Sequence, residues 1–183
     1  SVVENGRIVH SNIVASQDDL HVEYGGVVPE IASRAHLERI LPVVSQAIEQ
    51  ANIKLSEVDA IAVGNRPGLI GSLLVGVSAA KTLAWSLSKP LITVDHVIAH
   101  LWAPFLSGAE IQYPALGFVV SGGHTSLLLL KDANTVECLG KTIDDAAGEA
   151  FDKAASILGL GWPGGILIDK AAAMGSPVYK LPR

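Results

Sequence analysis

The sequence predicts an α/β fold with a mixed β-sheet. Short apolar runs typical of strands alternate with segments whose apolar residues recur at helical spacing, and hairpin signals occur at two places. Hydrophobic residues make up 49% of the 183 positions and charged residues 17%, which suits a buried core and argues against global disorder. Because aromatic residues amount to only 5%, we expect a core of Val, Leu, Ile and Ala.

The first half of the chain opens with a hairpin signal. Asn5-Gly6 lies between two strand-like segments and is typical of a two-residue hairpin turn. A long helix is predicted after Gly25-Gly26, and Pro42 either kinks that helix or splits it in two. The predicted elements are strands at 1–3 and 7–14, a helix over 31–47, a strand at 58–64, a helix ending near residue 86 and a strand at 91–94.

The second half repeats the alternation with a second hairpin region. Two apolar runs flank a Ser-Gly-Gly turn, and the segment from Trp162 to Gly165 separates two helical patterns. The predicted elements are a helix over 97–106, strands at 116–120 and 126–130, a further candidate strand at 136–139, and helices over 145–158 and 166–174.

Composition narrows the class of function. A net charge of −5 argues against a chain that binds nucleic acid unaided. Cys138 is the only cysteine, which excludes an intrachain disulfide and a Cys-based metal site and favours a reducing compartment. The apolar stretches at 69–88 and 154–168 are interrupted by Gly, Ser or Pro, so we expect no membrane span. Since the chain starts at Ser1 within a strand-like pattern, we expect a truncated fragment.

His96 and His100 are the most informative pair of residues. In a helix their imidazoles project from one face, with Cβ atoms about 5–6 Å apart. Two neutral imidazoles can then share one divalent metal ion at about 2.0–2.1 Å per nitrogen. Taken alone, the pattern slightly favours surface or hydrogen-bonded histidines, and it is not the zincin motif because no Glu follows His96. Two ligands are too few for a stable site, so a third has to come from elsewhere.

Ser121-Gly122-Gly123-His124-Thr125 follows between two apolar strands. Glycines let backbone N–H groups approach an anion closely, and hydroxyl groups add donors. A plain hairpin turn explains the same residues equally well.

The segment from Asp144 to Lys153 begins a helix. We expect Asp144 or Asp145 to be its N-cap and Glu149 to pair with Lys153 one turn later. Glu149 and Asp152 also share a face, where a carboxylate could accept ribose hydroxyls, although the structural interpretation is favoured without further context.

Six motifs occur together in a fixed order and cover essentially the whole chain. This combination strongly resembles the tRNA N6-adenosine threonylcarbamoyltransferase family, once misnamed O-sialoglycoprotein endopeptidase. The motifs are Tyr24-Gly-Gly-Val-Val-Pro-Glu-Ile-Ala-Ser-Arg-Ala-His36, Pro67-Gly-Leu-Ile-Gly-Ser-Leu-Leu-Val-Gly76, His96-x-x-x-His100, Val120-Ser-Gly-Gly-His-Thr125, Asp144-Asp-Ala-Ala-Gly-Glu-Ala-Phe-Asp-Lys153 and Pro163-Gly-Gly165.

The resemblance implies an actin-like, sugar-kinase-type fold with two lobes, each built on a ribonuclease-H-like mixed sheet. Residues 1–95 would be the first lobe without its first strand, and 96–183 the metal-binding helix and the truncated start of the second lobe. The implied reaction moves the threonylcarbamoyl group from threonylcarbamoyl-AMP to N6 of the adenosine 3′ of the anticodon. The tRNAs concerned read codons that begin with A, and AMP is released.

The resemblance also implies a ligand set. His96 and His100 would bind one catalytic iron or zinc ion, whose third ligand, an Asp, would lie beyond this chain. Bound adenylate would be surrounded by Val119, Val120, Ser121, Gly122 and Gly123, and its nucleoside part would contact Asp152, Gly165 and Asp169. A metal ion acting as a Lewis acid and backbone donors near the departing phosphate suit the transfer of an acyl group from a mixed anhydride.

Three residues depart from the family pattern. Asp95 precedes the first histidine where His or Asn is more frequent, Arg66 precedes Pro-Gly-Leu where Gly is usual, and Ile166 follows Gly-Gly where Pro is usual. These departures concern the local details of the anion-binding loops.

Partners follow from the same resemblance. A bacterial member would act with a paralogous scaffold subunit and a small P-loop ATPase, whereas a homodimer is the mitochondrial arrangement. We expect no membrane association, and a cytoplasmic location, or a mitochondrial one in a eukaryote.

The apolar helix around residues 69–87 is either a dimer surface or buried within its own lobe. Alternative functions are a non-catalytic scaffold paralogue, which generally lacks the histidine pair, and a carbamoyltransferase that carries a related domain.

Overall fold

The computed structural model describes residues 1–180 and confirms the α/β class. Residues 181–183, the end of the predicted second segment, lie outside the described part. The strands are β1 (Val2–Glu4), β2 (Ile8–Ser11), β3 (Ile61–Arg66), β4 (Leu91–Asp95), β5 (Ala115–Val120), β6 (Thr125–Leu130) and β7 (Val136–Lys141). The helices are α1 (Pro29–Ala51), α2 (Ile70–Ser86), α3 (His96–Trp102), α4 (Ala147–Ile157) and α5 (Gly164–Ala173). Short 3₁₀ turns lie at Asp18–Leu20, Val22–Tyr24, Leu55–Glu57 and Ala103–Ser107.

Parallel and antiparallel pairing both occur, in separate sheets within residues 1–180. Strands β1 and β2 form an antiparallel hairpin, β3 and β4 form a parallel pair, and β5, β6 and β7 form an antiparallel sheet in that order. The parallel pair is joined by the α2 crossover, whereas the antiparallel neighbours are joined by short turns, as the geometry of each pairing requires.

Most local turn and helix signals predict the structure correctly. Asn5 and Gly6 both have positive φ, at 50° and 67°, as a primed hairpin turn requires. Helix α1 is continuous through Pro42, so the alternative in which this proline splits the helix is wrong. Strand β2 ends at Ser11 rather than at residue 14, and α5 begins two residues earlier than expected.

An apolar cluster fixes α3 on the three-stranded sheet. Leu101 of α3 is buried with Val119, Leu128 and Leu130 of β5 and β6. Val97 and Ile98 pack against the same cluster. Because these residues turn one face of α3 towards the sheet, His96 and His100 lie on another face of the helix, and both are exposed.

Helices α1 and α2 pack against each other, and α2 also covers β3. Ala80 and Ala84 of α2 are buried within the chain, whereas Ile70, Leu74 and Trp85 are exposed, so the dimer surface stays a prediction. In the part of the chain that the structure describes, every helix is too short or too polar to cross a bilayer.

Candidate functional site

The two histidines are brought together by a short, well-capped helix. Asp95 ends β4 and is the N-cap of α3, where its Oδ1 accepts the N–H groups of Val97 at 2.9 Å and Ile98 at 3.2 Å. His96 is therefore the first helical residue, and His100 lies one turn later on the same face. Their Nε2 atoms are 3.1 Å apart.

This separation suits two chemical situations. At about 2.0–2.1 Å per bond, two imidazole nitrogens on one ion lie about 2.9 Å apart at a right angle and about 3.4 Å apart at the tetrahedral angle. The same distance also suits a hydrogen bond between two neutral rings. No group of three or more His, Cys, Asp or Glu side chains within residues 1–180 is placed to hold a metal ion, so this site offers two ligands.

A third imidazole lies beside the pair. The ring of His124 is 5.8 Å from that of His96, measured between centroids. Partial desolvation of the ring lowers the pKa of His96, and the nearby His100 and His124 lower it further, while Asp95 has the opposite effect. The lowered pKa favours the neutral form of His96, which is the form that binds a metal ion.

The turn that carries His124 is held by its own hydrogen bonds. The Ser121 N–H donates to the His124 carbonyl at 2.8 Å, and the His124 N–H donates to Ser121 Oγ at 3.0 Å. Within residues 1–180, the N–H groups of Gly122 and Gly123 make no hydrogen bond. The turn is held by the N–H groups of Ser121 and His124, which leaves the N–H groups of Gly122 and Gly123 for an anion. The same residues can therefore form a hairpin turn and an anion site.

Helix α4 starts against this turn. Its N-cap residue is Ala146, not Asp144 or Asp145, so the predicted capping carboxylate is wrong. Thr125 Oγ1 of β6 accepts the Ala147 N–H at 2.9 Å and takes the place of a local cap. Asp145 instead binds Lys153. The tertiary packing of α4 on the turn supplies an acceptor from 22 residues away, which overrides the local preference.

Gly148 brings the α4 backbone into contact with the turn. Its N–H donates to the Ser121 carbonyl at 3.2 Å. A Cβ atom at this position would lie 2.7 Å from Gly122 Cα and 2.8 Å from the Ser121 oxygen, both of which are backbone atoms. Only glycine therefore permits this approach of helix and turn.

Asp152 uses both carboxylate oxygens to hold the start of α5. Oδ1 accepts the Gly164 N–H at 2.7 Å, and Oδ2 accepts the Trp162 indole N–H at 3.2 Å. A Cβ at Gly164 would lie 2.6 Å from the Ala155 Cβ and 2.7 Å from the Phe151 oxygen. Asp152 thus joins α4 to α5, and each oxygen keeps a lone pair for a further donor.

The remaining residues predicted to contact the nucleotide make fewer contacts with the turn and with Asp152. Gly165 is the second residue of α5, and Asp169 lies one turn later, exposed. Within residues 1–180, the Asp169 carboxylate makes no hydrogen bond or ion pair. Glu149 pairs with Lys153 at 3.2 Å, as the helix spacing predicts, so its carboxylate is engaged on the surface.

A groove of about 540 Å³ extends from His100 along β5. It is lined by His100, by Val119, Val120 and Ser121 from the predicted adenylate segment, and also by Pro104 and Glu110. Val119 is buried in the apolar cluster, while Val120 is half exposed.

Most of the predicted site residues are therefore linked to one another, and the residues that link them have no functional role in the sequence-based prediction. His124 connects the histidine pair to the turn, Gly148 connects the turn to α4, and Trp162 and Gly164 connect Asp152 to α5. His124 and Gly148 lie inside recognised motifs, which is the available signal. Nothing in local spacing indicates the role of the Trp162 indole.

The family model and the curated relatives that match this chain carry the same description. The family model described as TsaD, tRNA N6-adenosine threonylcarbamoyltransferase, matches residues 8–183. Curated proteins of that description include one from Syntrophomonas wolfei, 55% identical over 184 residues, which covers 100% of this chain and 54% of the relative. A relative from Kosmotoga olearia is 51% identical over 183 residues, with 100% and 55% covered.

A relative from Treponema denticola is 55% identical over 177 residues and covers 97% of this chain and 52% of its own length. The chain thus spans about half the length of the curated relatives it matches. Among solved structures, YeaZ from Pseudomonas aeruginosa aligns with a TM-score of 0.41 and 24% identity, over 58% of this chain and 52% of that one.

Proposed function

Since this chain belongs to the tRNA N6-adenosine threonylcarbamoyltransferase family, we propose that the full-length protein performs the family's reaction. It transfers the threonylcarbamoyl group from threonylcarbamoyl-AMP to N6 of the adenosine 3′ of the anticodon, in tRNAs that read codons beginning with A. The observation that carries the proposal is the His96–His100 pair, with Nε2 atoms 3.1 Å apart, beside the turn that carries His124.

In this proposal His96 and His100 hold one iron or zinc ion, and the third ligand comes from outside this chain. The separation of the two Nε2 atoms and the lowered pKa of His96 support it, because the two atoms are spaced for a shared ion and the His96 ring favours the neutral state. When bound, the ion supplies Lewis acidity towards carbamoyl or phosphate oxygens.

The chain's own groups bind and orient the adenylate. The N–H groups of Gly122 and Gly123 are available to a phosphate oxygen, and the negative charge that develops on departing AMP would be stabilised there. Asp152, held by two protein donors, keeps lone pairs for a ribose hydroxyl. Val119, Val120, Gly165 and Asp169 complete the proposed adenylate contacts.

The transfer balances without a further reactant. The N6 amine of the adenosine attacks the carbamoyl carbon, and the bond from that carbon to the phosphate oxygen breaks with its electron pair leaving on AMP. The amine nitrogen loses one proton to a base, and no residue of this chain is assigned that role.

Partners and organisation belong to the same proposal. The division between 1–95 and 96–183 would fall at the start of α3, which contacts β3, β4 and β5 and so connects both segments. tRNA binding by an acidic chain needs a contribution from the rest of the protein or from a partner. A paralogous scaffold subunit and a small P-loop ATPase would serve a bacterial protein, and a homodimer a mitochondrial one. The tRNA substrate favours a cytoplasmic or mitochondrial location.

The test is transfer of threonylcarbamoyl to tRNA by the full-length protein with its partners. We expect His96→Ala and His100→Ala each to lower the rate by at least about 100-fold and to release the bound metal. His10→Ala is the matched control, because His10 binds Glu4 in the terminal hairpin. Unmodified tRNA after reaction with the unaltered protein would overturn the proposal, and full activity without the histidine pair would overturn its metal site.

A further inference from the structure

Asp95 binds two different parts of the molecule at once. Its Oδ1 caps α3 through the N–H groups of Val97 and Ile98, and its Oδ2 accepts Arg66 Nε–H at 3.2 Å. The Asp95 side chain is 27% exposed and the Arg66 side chain 73% exposed. The Asp95 carboxylate therefore joins the start of α3, which carries the two histidines, to the end of strand β3.

The backbone places Arg66 for this contact. Strands β3 and β4 pair in parallel, residue for residue, from Ile61 opposite Leu91 to Gly64 opposite Val94. An irregularity between Gly64 and Arg66 then sets Arg66, rather than Asn65, opposite Asp95. Such a bulge redirects a side chain at the end of a strand. Within residues 1–180, the Arg66 side chain has no other hydrogen bond or ion pair.

We propose that the Arg66–Asp95 pair positions the His96–His100 site by fixing the first turn of α3. The helix has only seven residues, and a helix that short has little stability of its own. Its orientation therefore depends on the cap and on packing against the sheet. His96 follows Asp95 directly, so a rotation of the Asp95 carboxylate displaces His96 first and alters its distance from His100.

Both members of the pair are positioning residues, since neither contacts the histidine rings through a hydrogen bond. An exposed ion pair adds little to global stability. The pair consequently predicts a specific result: a clear effect on the two imidazoles with a small effect on the unfolding transition.

The test uses Arg66→Ala, Asp95→Asn and Arg66→Lys in the full-length protein, without metal and then with Zn²⁺. In Asp95→Asn the new amide retains an oxygen for the helix cap but lacks the charge that binds Arg66, so this variant separates the two functions of the carboxylate. We expect Arg66→Ala and Asp95→Asn to shift the imidazole NMR signals of His96 and His100 in the metal-free protein. We also expect them to weaken Zn²⁺ binding about tenfold, with Arg66→Lys closer to the unaltered protein.

The matched control is Lys131→Ala, which removes an exposed pair with Glu137 far along the chain. It should leave the imidazole signals unchanged. Unchanged imidazole signals in Arg66→Ala would overturn the inference. The Zn²⁺ measurement rests on the proposed function, but the metal-free NMR measurement does not. An unaltered protein that binds no Zn²⁺ would therefore contradict the metal site, while the NMR comparison still decides whether Arg66 positions the histidines.

Discussion

The carboxylate of Asp152 accepts the backbone N–H of Gly164 at 2.7 Å and so ties the middle of α4 to the first residue of α5. Its second oxygen accepts the indole N–H of Trp162 at 3.2 Å. A residue expected to contact a nucleoside is thus also a structural connection between two helices, and the two roles can be separated by experiment.

Asp152→Asn should destabilise the ligand-free protein. Both carboxylate oxygens face N–H donors, so an Asn side chain has to turn its NH₂ group towards one of them and lose that hydrogen bond. We expect a loss of about 1–3 kcal/mol in the free energy of unfolding, measured by urea denaturation.

Asp169→Asn is the matched control for this substitution. Asp169 is exposed and has no partner within residues 1–180, so its replacement should change stability by less than about 0.5 kcal/mol. Equal stability of both variants would show that the Asp152 connections contribute nothing to the fold.

Gly148→Ala should push α4 away from the turn at Ser121–Gly123. The added Cβ would meet the Gly122 Cα and the Ser121 oxygen, which cannot move without moving the backbone. We expect about 1–3 kcal/mol of destabilisation and weaker AMP binding, measured by thermal unfolding and by calorimetric titration of the full-length protein.

Gly140→Ala serves as the comparison, because nothing lies within 4 Å of the Cβ it would add. AMP affinity that stays the same in Gly148→Ala would mean that the distance between α4 and the turn does not matter for the nucleotide.

Thr125→Val should weaken the start of α4. The valine keeps the shape of the side chain but removes the oxygen that accepts the Ala147 N–H. Loss of a capping acceptor costs about 1 kcal/mol, which we expect to see in chemical denaturation. Thr82→Val changes an exposed hydroxyl within α2 and is the control. A Thr125 variant as stable as the Thr82 variant would contradict the capping role.

The metal-free protein should lose stability in acid through His96. Partial desolvation of the ring is the main cause of its lowered pKa, followed by His100 and His124, with Asp95 opposing them. The unfolded chain therefore takes up the proton first as pH falls, so the free energy of unfolding decreases below about pH 6.5 and is unaffected by His96 well above it.

An NMR titration of the His96 ring checks this directly. We expect a midpoint below that of the urea-unfolded chain, and a rise towards that value in His100→Ala, which removes a neighbouring positive charge. A folded-state midpoint at or above the unfolded one would contradict the prediction.

Most of the fold could be predicted because its signals are local. The turn at Asn5-Gly6 and the helical spacing of α1 and α2 depend on residues within a few positions of one another. The boundaries were less accurate: α4 begins at Ala147 because Thr125 caps it, and a cap supplied from 22 residues away leaves no trace in the nearby sequence.

The candidate site divides in the same way. The sequence by itself determined that His96 and His100 share a helix face, since i and i+4 residues meet on any helix. It also determined the family through the order of six motifs. Only the tertiary structure decided that Arg66 and Asp95 are partners. It also placed the His124 ring beside His96. The physical reason is that strand register and the packing of helices on sheets bring together residues that are distant in sequence. Arg66 and Asp95 are separated by 29 positions, and no local propensity encodes a contact over such a distance.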